Sequence, residues 1–156
     1  MDSTIMGGII SSSNNSNNNR GSGNTITNNN IGFYYSGSSP TMDSNTVSDN
    51  TSYAGEITSN SFPIFTNNTF LNNSPDAIKM YGDILTTNPN LTNPGIPYII
   101  TADITLRSGT ANGTATLTIE PGVEVKFEPG KGLYVGLYTY PNNYYGALIA
   151  QGTAAE

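Results

Sequence analysis

The chain has 156 residues, enough for one domain or two small ones, with 35% hydrophobic residues, 10% charged residues and a formal net charge of −6. It has no Cys and no His, which excludes disulfides, thiol chemistry, the usual zinc and copper ligands, a His general base and any triad built on one. The five basic residues, Arg20, Lys79, Arg107, Lys126 and Lys131, are scattered and form no patch for phosphates, so no nucleic-acid partner is expected.

Asn, Ser, Thr and Gly make up about half of the chain, a composition shared with low-complexity segments. The apolar residues are not scattered, however. They recur in short β-branched and aromatic runs that suit strands, and no window has the period of a helix. No apolar run is long enough to cross a membrane, and the N-terminus lacks the basic and apolar regions of a signal peptide. Met1-Asp2-Ser3 stands inside a repeat, which suggests a piece of a longer exported protein placed outside the cell or at its surface.

The first stretch, residues 1–82, is a repeat. Asn24-Thr25-Ile26 lines up with Asn45-Thr46-Val47 at an offset of 21, and Ser3-Thr4-Ile5 lies a further 21 back. The segment from Pro40 to Asn50 aligns without a gap on Pro63 to Asn73, at an offset of 23. The apolar anchors are therefore Ile5, Ile26, Val47 and Phe70. The Asn-rich stretch from Ser11 to Asn19 is expected as a long loop leaving one turn of the coil.

A period of 21 to 23 residues with several strand runs and no helical run predicts an all-β, parallel β-solenoid. In such a coil the residue one turn later lies about 4.8 Å away, so apolar anchors stack inward and corner Asn residues stack in amide ladders. Asn also tolerates the left-handed backbone of tight corners. Glu56 and Lys79 are one repeat apart and should pair on the surface.

Residues 83–97 carry three prolines in nine residues and are expected as a Pro/Asn/Thr-rich connection without a central strand. Residues 98–156 resume with strand runs at Tyr98-Ile99-Ile100, Ile104-Thr105-Leu106, Ala115 to Ile119, Val123 to Phe127, Leu133-Tyr134-Val135 and Ala147 to Ala150. Pro121-Gly122 and Pro129-Gly130 are turns. Leu117, Ile119, Val123, Val125, Phe127, Leu133 and Val135 are expected to point inward.

Three segments, Leu117 to Phe127, Gly132 to Gly136 and Gly146 to Thr153, resemble the opening turns of bacterial and archaeal surface proteins of the pectate-lyase-like superfamily. The Asn-Thr-(Ile/Val/Phe) repeats of the first stretch resemble the later turns of such solenoids. The resemblance implies a right-handed parallel β-helix. It does not imply one function, because the superfamily mixes lyases, hydrolases, epimerases, adhesins and stalks. Later-type turns precede opening-type turns here, so neither end would be capped. Self-association follows as an expectation, with Glu156 of one copy abutting Asp2 of the next in a fibre or tandem array.

The lyases of this superfamily work through acidic clusters holding Ca²⁺, so the carboxylates need weighing. At the repeat offset Asp43 falls on Thr66 and Asp49 on Asn72, so acidic residues do not stack. Glu120, Glu124 and Glu128 would spread over roughly 26 Å in strands. No carboxylate pair has the register for a glycosidase. No catalytic residue, no metal site and no cofactor is expected, although Asn and Asp oxygens could hold an adventitious Ca²⁺.

The most distinctive cluster is Tyr134, Tyr138, Tyr140, Tyr144 and Tyr145, within twelve residues. Exposed Tyr suits sugar rings or protein partners, while packed Tyr would pin the loop from Gly136 to Gly146 to the coil. Thr25, Thr46 and Thr69 form one rank, too narrow for the broad Thr face of an ice binder. The Asn-x-Ser/Thr sequons at Asn14, Asn50, Asn67, Asn72, Asn90 and Asn112 are no more than such an Asn-, Ser- and Thr-rich chain yields by chance. The leading expectation is a non-catalytic extracellular structural or adhesive module. A carbohydrate-binding or polysaccharide-active domain is the alternative, and ice binding a minor one.

Overall fold

The computed structural model describes residues 4–6, 10–13, 20–58 and 60–152, with backbone alone for the residues up to 20. The loop expected from Ser11 to Asn19 begins later than that, because Ser11 to Ser13 pair with Tyr34 to Ser36 as part of a strand; its remainder at 14–19, the sequon at Asn14, and Asp2 and Glu156 lie outside the described residues.

The described residues wind through six turns. The first carries β1 (Thr4–Met6), β2 (Ile10–Ser13) and β3 (Arg20–Ser22). The second carries β4 (Thr25–Thr27), β5 (Phe33–Ser36) and β6 (Thr41–Asp43), and the third β7 (Thr46–Ser48), β8 (Gly55–Ile57) and β9 (Ile64–Thr66). The fourth carries β10 (Thr69–Leu71), β11 (Ile78–Met80), β12 (Ile84–Leu85) and β13 (Asn90–Leu91). The fifth carries β14 (Tyr98–Ile100), β15 (Ile104–Leu106) and β16 (Thr114–Ile119). The last carries β17 (Val125–Phe127), β18 (Leu133–Val135), β19 (Leu137–Thr139) and β20 (Asn142–Ala150).

Each strand pairs in parallel with its counterpart one turn away; the antiparallel β19–β20 hairpin is the exception. The result is a right-handed parallel β-helix. Sheet A is β1-β4-β7-β10, sheet B β2-β5-β8-β11-β14-β17, sheet C β3-β6-β9, sheet D β12-β15-β18 and sheet E β13-β16-β20-β19. Sheet B runs through both stretches of the sequence without a break. The Pro-rich stretch 83–97, expected to lack a central strand, takes part in the coil, because β12 precedes its prolines, β13 fits between Pro89 and Pro94, and both pair with the next turn.

The anchors stack as the repeat predicts: Ile5 on Ile26, Ile26 on Val47 and Val47 on Phe70. Ile26, Val47, Phe33, Ile57, Met80 and Ile100 are fully buried along the axis. Inward and outward residues alternate along short strands, so a chain with few apolar residues still fills its interior.

Two amide ladders hold the corners. Asn24 Nδ2 donates to Asn45 Oδ1 at 3.0 Å, and Asn45 Nδ2 donates to Asn68 Oδ1 at 3.1 Å. In the second ladder the Asn29 backbone N–H donates to Asn50 Oδ1 at 2.9 Å, and Asn50 Nδ2 donates to Asn73 Oδ1 at 2.7 Å. Asp76 ends that ladder by accepting from Asn73 Nδ2 at 2.7 Å. Asn28, Asp49 and Asn72 form a column with φ between 54° and 59° beside it, the left-handed conformation that Asn and Asp tolerate.

Sheet A stops at β10. Its place is taken by two stacked turns at Pro94-Gly95 and Pro121-Gly122, where both glycines have positive φ. At Gly122 a side chain would be strained by the φ of 76° and would bring its Cβ to 2.7 Å from Asn93 Nδ2, so glycine suits this corner. Sheets C and E meet at a seam that a side chain closes. Thr92 Oγ1 accepts the Phe65 N–H at 3.3 Å and donates to the Pro63 carbonyl at 3.0 Å.

The inward positions of the last two turns follow the expected alternation but differ in burial. Leu117 is buried, and Ile119, Val123, Val125 and Leu133 are half-buried. Phe127 and Val135, expected inside, are 37% and 47% exposed. They stack on the fully buried Ile100 and Leu106, but among the described residues no strand covers their far side.

Burial raises the pKa of the Tyr35 and Tyr98 phenols, and for Tyr98 the Thr92 side chain offsets this in part. The raised values mean that the folded state holds these protons after the unfolded chain has released them. Stability is therefore complete below about pH 10 and is lost as pH rises further. Urea titrations between neutral pH and pH 11 should show the midpoint falling at the alkaline end, and less so in Tyr35→Phe.

Candidate functional site

The outward face of sheet B carries the expected ion pair. Lys79 stacks on Glu56 in register, with its Nζ 3.4 Å from Glu56 Oε1. Tyr81 Oη donates to Glu56 Oε2 at 2.8 Å, and Lys79 Nζ lies over the Tyr53 and Tyr81 rings at 5.6 and 4.7 Å from their centroids. Burial pulls the Lys79 pKa down, but the Tyr81 hydroxyl and the Glu56 carboxylate outweigh it, and the net shift is upward. Sequence reasoning missed both Tyr residues, although Tyr81 follows Lys79 by the two residues that place it on the same face. Every charge here has a partner, so the cluster is a brace on the coil. A Glu56→Gln/Lys79→Met double-mutant cycle should give a coupling of about 0.5–1 kcal/mol in urea denaturation.

The carboxylates stay apart. Asp43 faces Thr66 in register and accepts from Asn67 Nδ2 at 3.4 Å, and Asp49 accepts from Asn72 Nδ2 at 3.3 Å. Among the described residues no three Asp or Glu converge as metal ligands would. Of the sequons, Asn50 is buried in the second ladder, whereas Asn67, Asn72, Asn90 and Asn112 are exposed. The Thr25, Thr46 and Thr69 rank is in register, and beside it runs a second column of Thr27, Ser48 and Leu71.

A groove of about 390 Å³ opens at the seam between sheets C and E. Phe62, Ile64 and Pro89 give it an apolar floor, with Ile64 49% exposed. Asn88, Asn90 and Glu120 give it a polar rim. Asn90 Nδ2 donates to Glu120 Oε1 at 2.7 Å, and Asn88 Oδ1 accepts the Thr116 N–H at 2.8 Å, so the rim is fixed in place. Sequence reasoning missed this groove because it joins residues from turns with different offsets.

Four of the five Tyr residues, Tyr138 to Tyr145, lie on a hairpin where a loop was expected, and Tyr134 lies on β18. β19 and β20 pair Leu137 with Tyr144 and Tyr138 with Asn143, and Tyr140-Pro141 closes the turn. Tyr144 covers Arg107, whose guanidinium carbon is 5.3 Å from the ring centroid. Tyr134, Tyr138, Tyr140 and Tyr145 are 49% to 84% exposed. Register separates them: Tyr134 points out from sheet D, Tyr138 and Tyr145 from sheet E, and Tyr140 stands at the tip. The five therefore form no single aromatic platform.

Residues 3–116 match the family model described as the right-handed beta helix region. Comparisons with curated proteins and with solved structures give no match.

Proposed function

Because the chain belongs to the right-handed β-helix family, we propose that it is a non-catalytic structural and adhesive module of the cell exterior that assembles end to end. The carrying observation is the uncovered last turn. Phe127, Val135 and Leu148 sit at inward positions yet are 37% to 47% exposed. The far edges of β17 and β18 carry no partner strand among the described residues, and the β19 hairpin covers only the start of β20. An open edge with an apolar row behind it is a template for another parallel turn. A further turn, whether from continuing chain or from a second copy, would pair the strands and cover the row together; a second copy is the occupant proposed, and the oligomer measurement decides between them.

Sedimentation and electron microscopy of the full chain test this. Open-ended oligomers that lengthen with concentration are expected. Phe127→Lys with Val135→Lys should remove them at a modest cost in melting temperature, since both side chains are already partly in water. A chain that stays monomeric at millimolar concentration overturns the proposal.

The seam groove favours carbohydrate binding as the second reading. An apolar floor of Phe62, Ile64 and Pro89 beneath fixed amide and carboxylate groups suits the face and hydroxyls of a sugar. Glycan-array binding that is lost in Ile64→Asp supports it, and loss in Tyr140→Ala would extend the contact to the hairpin.

A further inference from the structure

The seam groove carries a single, uncompensated charge. Among the described residues Glu120 is the only charged side chain that lines it, with neither Lys nor Arg beside it in the wall. The ion pairs of the described residues are Lys79 with Glu56 and Lys126 with Glu124, so Glu120 has no cation of its own. It is nevertheless held in place. Asn90 Nδ2 donates to Oε1 at 2.7 Å, and the Asn93 N–H donates to Oε2 at 3.3 Å. Each oxygen can still accept another bond. The whole chain is also acidic, with 11 carboxylates against five basic residues. An anionic ligand would be repelled here, whereas a cationic one would meet a fixed counter-ion.

The other groups of the groove indicate what carries that cation. The polar wall offers donors and acceptors together. Asn90 Nδ2 is engaged by Glu120, which leaves its Oδ1 to accept. Asn88 Oδ1 is engaged by the Thr116 N–H, which leaves its Nδ2 to donate. Ser39 Oγ accepts the Phe62 N–H at 3.0 Å and has its own proton to donate. Such a mixture suits hydroxyls, which both donate and accept. Phe62, Ile64 and Pro89 lie beneath, where the C–H face of a sugar ring would rest. A basic peptide fits less well. Strand addition needs a free sheet edge, and Thr92 Oγ1 already engages the Phe65 N–H and the Pro63 carbonyl on the β9 edge.

We infer that the seam groove takes an amino sugar with a free, protonated amine, and that Glu120 is the counter-ion that selects it. This rests on the carbohydrate reading of the groove and names the class of sugar.

Calorimetric titration of the full chain tests it, with a glucosamine tetramer and the same tetramer fully N-acetylated as probes. Low salt and about pH 6 keep carboxylates charged and amines protonated. The glucosamine tetramer should bind about fivefold to tenfold more tightly, and the difference should shrink as salt rises. Glu120→Gln should bring the two tetramers to the same affinity. That variant also removes an acceptor from the Asn93 N–H, so Thr87→Lys is the second. Thr87 is exposed in the groove wall, and a lysine there leaves both Glu120 hydrogen bonds in place while supplying a competing cation. It should weaken the glucosamine tetramer by a similar factor and spare the N-acetylated one. Equal binding of the two tetramers by the parent chain, or preference for the N-acetylated one, overturns the charge selection while the carbohydrate reading stands. Binding of neither overturns both. A preference that survives both substitutions places the amine elsewhere on the chain and overturns the inference. So does a tetralysine peptide that binds as tightly as the glucosamine tetramer and is lost in Glu120→Gln, because charge alone would then be read.

Discussion

Gly55→Ala is expected to destabilise the coil by about 3 kcal/mol, near the upper end of what an added core methyl ordinarily costs. Gly55 stacks directly on Phe33, and a Cβ there would lie 2.1 Å from Phe33 Cζ and 2.2 Å from Cε2. The ring cannot yield. Phe33 is fully buried, stacked on Tyr35 at 5.1 Å and leaning on Phe65 at 5.9 Å. Replacing a glycine that has an ordinary backbone would by itself stabilise slightly, by restricting the unfolded chain. A loss in urea denaturation therefore measures the clash. Phe33→Leu on the Gly55→Ala background should recover part of it. A variant that melts like the parent would show that the ring does not sit over residue 55.

Asn50→Ala is expected to cost about 2–4 kcal/mol, more than truncating any exposed Asn of the chain. Asn50 is 1% exposed and in the middle of its ladder. Its Oδ1 accepts the Asn29 backbone N–H, and its Nδ2 donates to Asn73 Oδ1. Alanine withdraws a buried acceptor and a buried donor at once, and water does not reach the site to replace them. Asn24→Ala, at the half-exposed end of the other ladder, should cost about 1 kcal/mol, since water can solvate what it leaves. Equal losses at the two positions would mean that burial does not set the worth of a ladder amide.

Much of the first four turns was legible in the sequence, because a solenoid turns self-comparison into a contact map. The offset of 21 between Asn24-Thr25-Ile26 and Asn45-Thr46-Val47, and the offset of 23 from there to Asn68-Thr69-Phe70, are the registers of sheet A. The Asn ladders and the Glu56–Lys79 pair follow from the same alignment. A further repeat was there to be read: Pro94-Gly95-Ile96-Pro97-Tyr98 aligns with Pro121-Gly122-Val123-Glu124-Val125 at an offset of 27, the register of β14 on β17. It is obscured because these turns hold a Pro-Gly corner in place of a sheet A strand, so the Asn-Thr-apolar signature is gone.

The candidate sites were less legible. The Tyr residues are close in sequence, yet the hairpin sends Tyr138 and Tyr145 to one face, Tyr144 over Arg107 and Tyr140 to the tip. The seam groove unites Phe62, Asn88 and Glu120 from successive turns whose offsets match no repeat.

From composition and spacing alone follow the parallel coil, the inward anchors, the amide corners and the absence of stacked carboxylates in the repeat. These are properties of a chain that meets its own pattern again about 4.8 Å away, so each turn specifies the next. The tertiary structure decided where sheet A ends, how Thr92 bridges the seam, and that Phe127 and Val135 stand uncovered. Those features depend on how one turn departs from its neighbour, and a repeating pattern carries no record of its own interruptions.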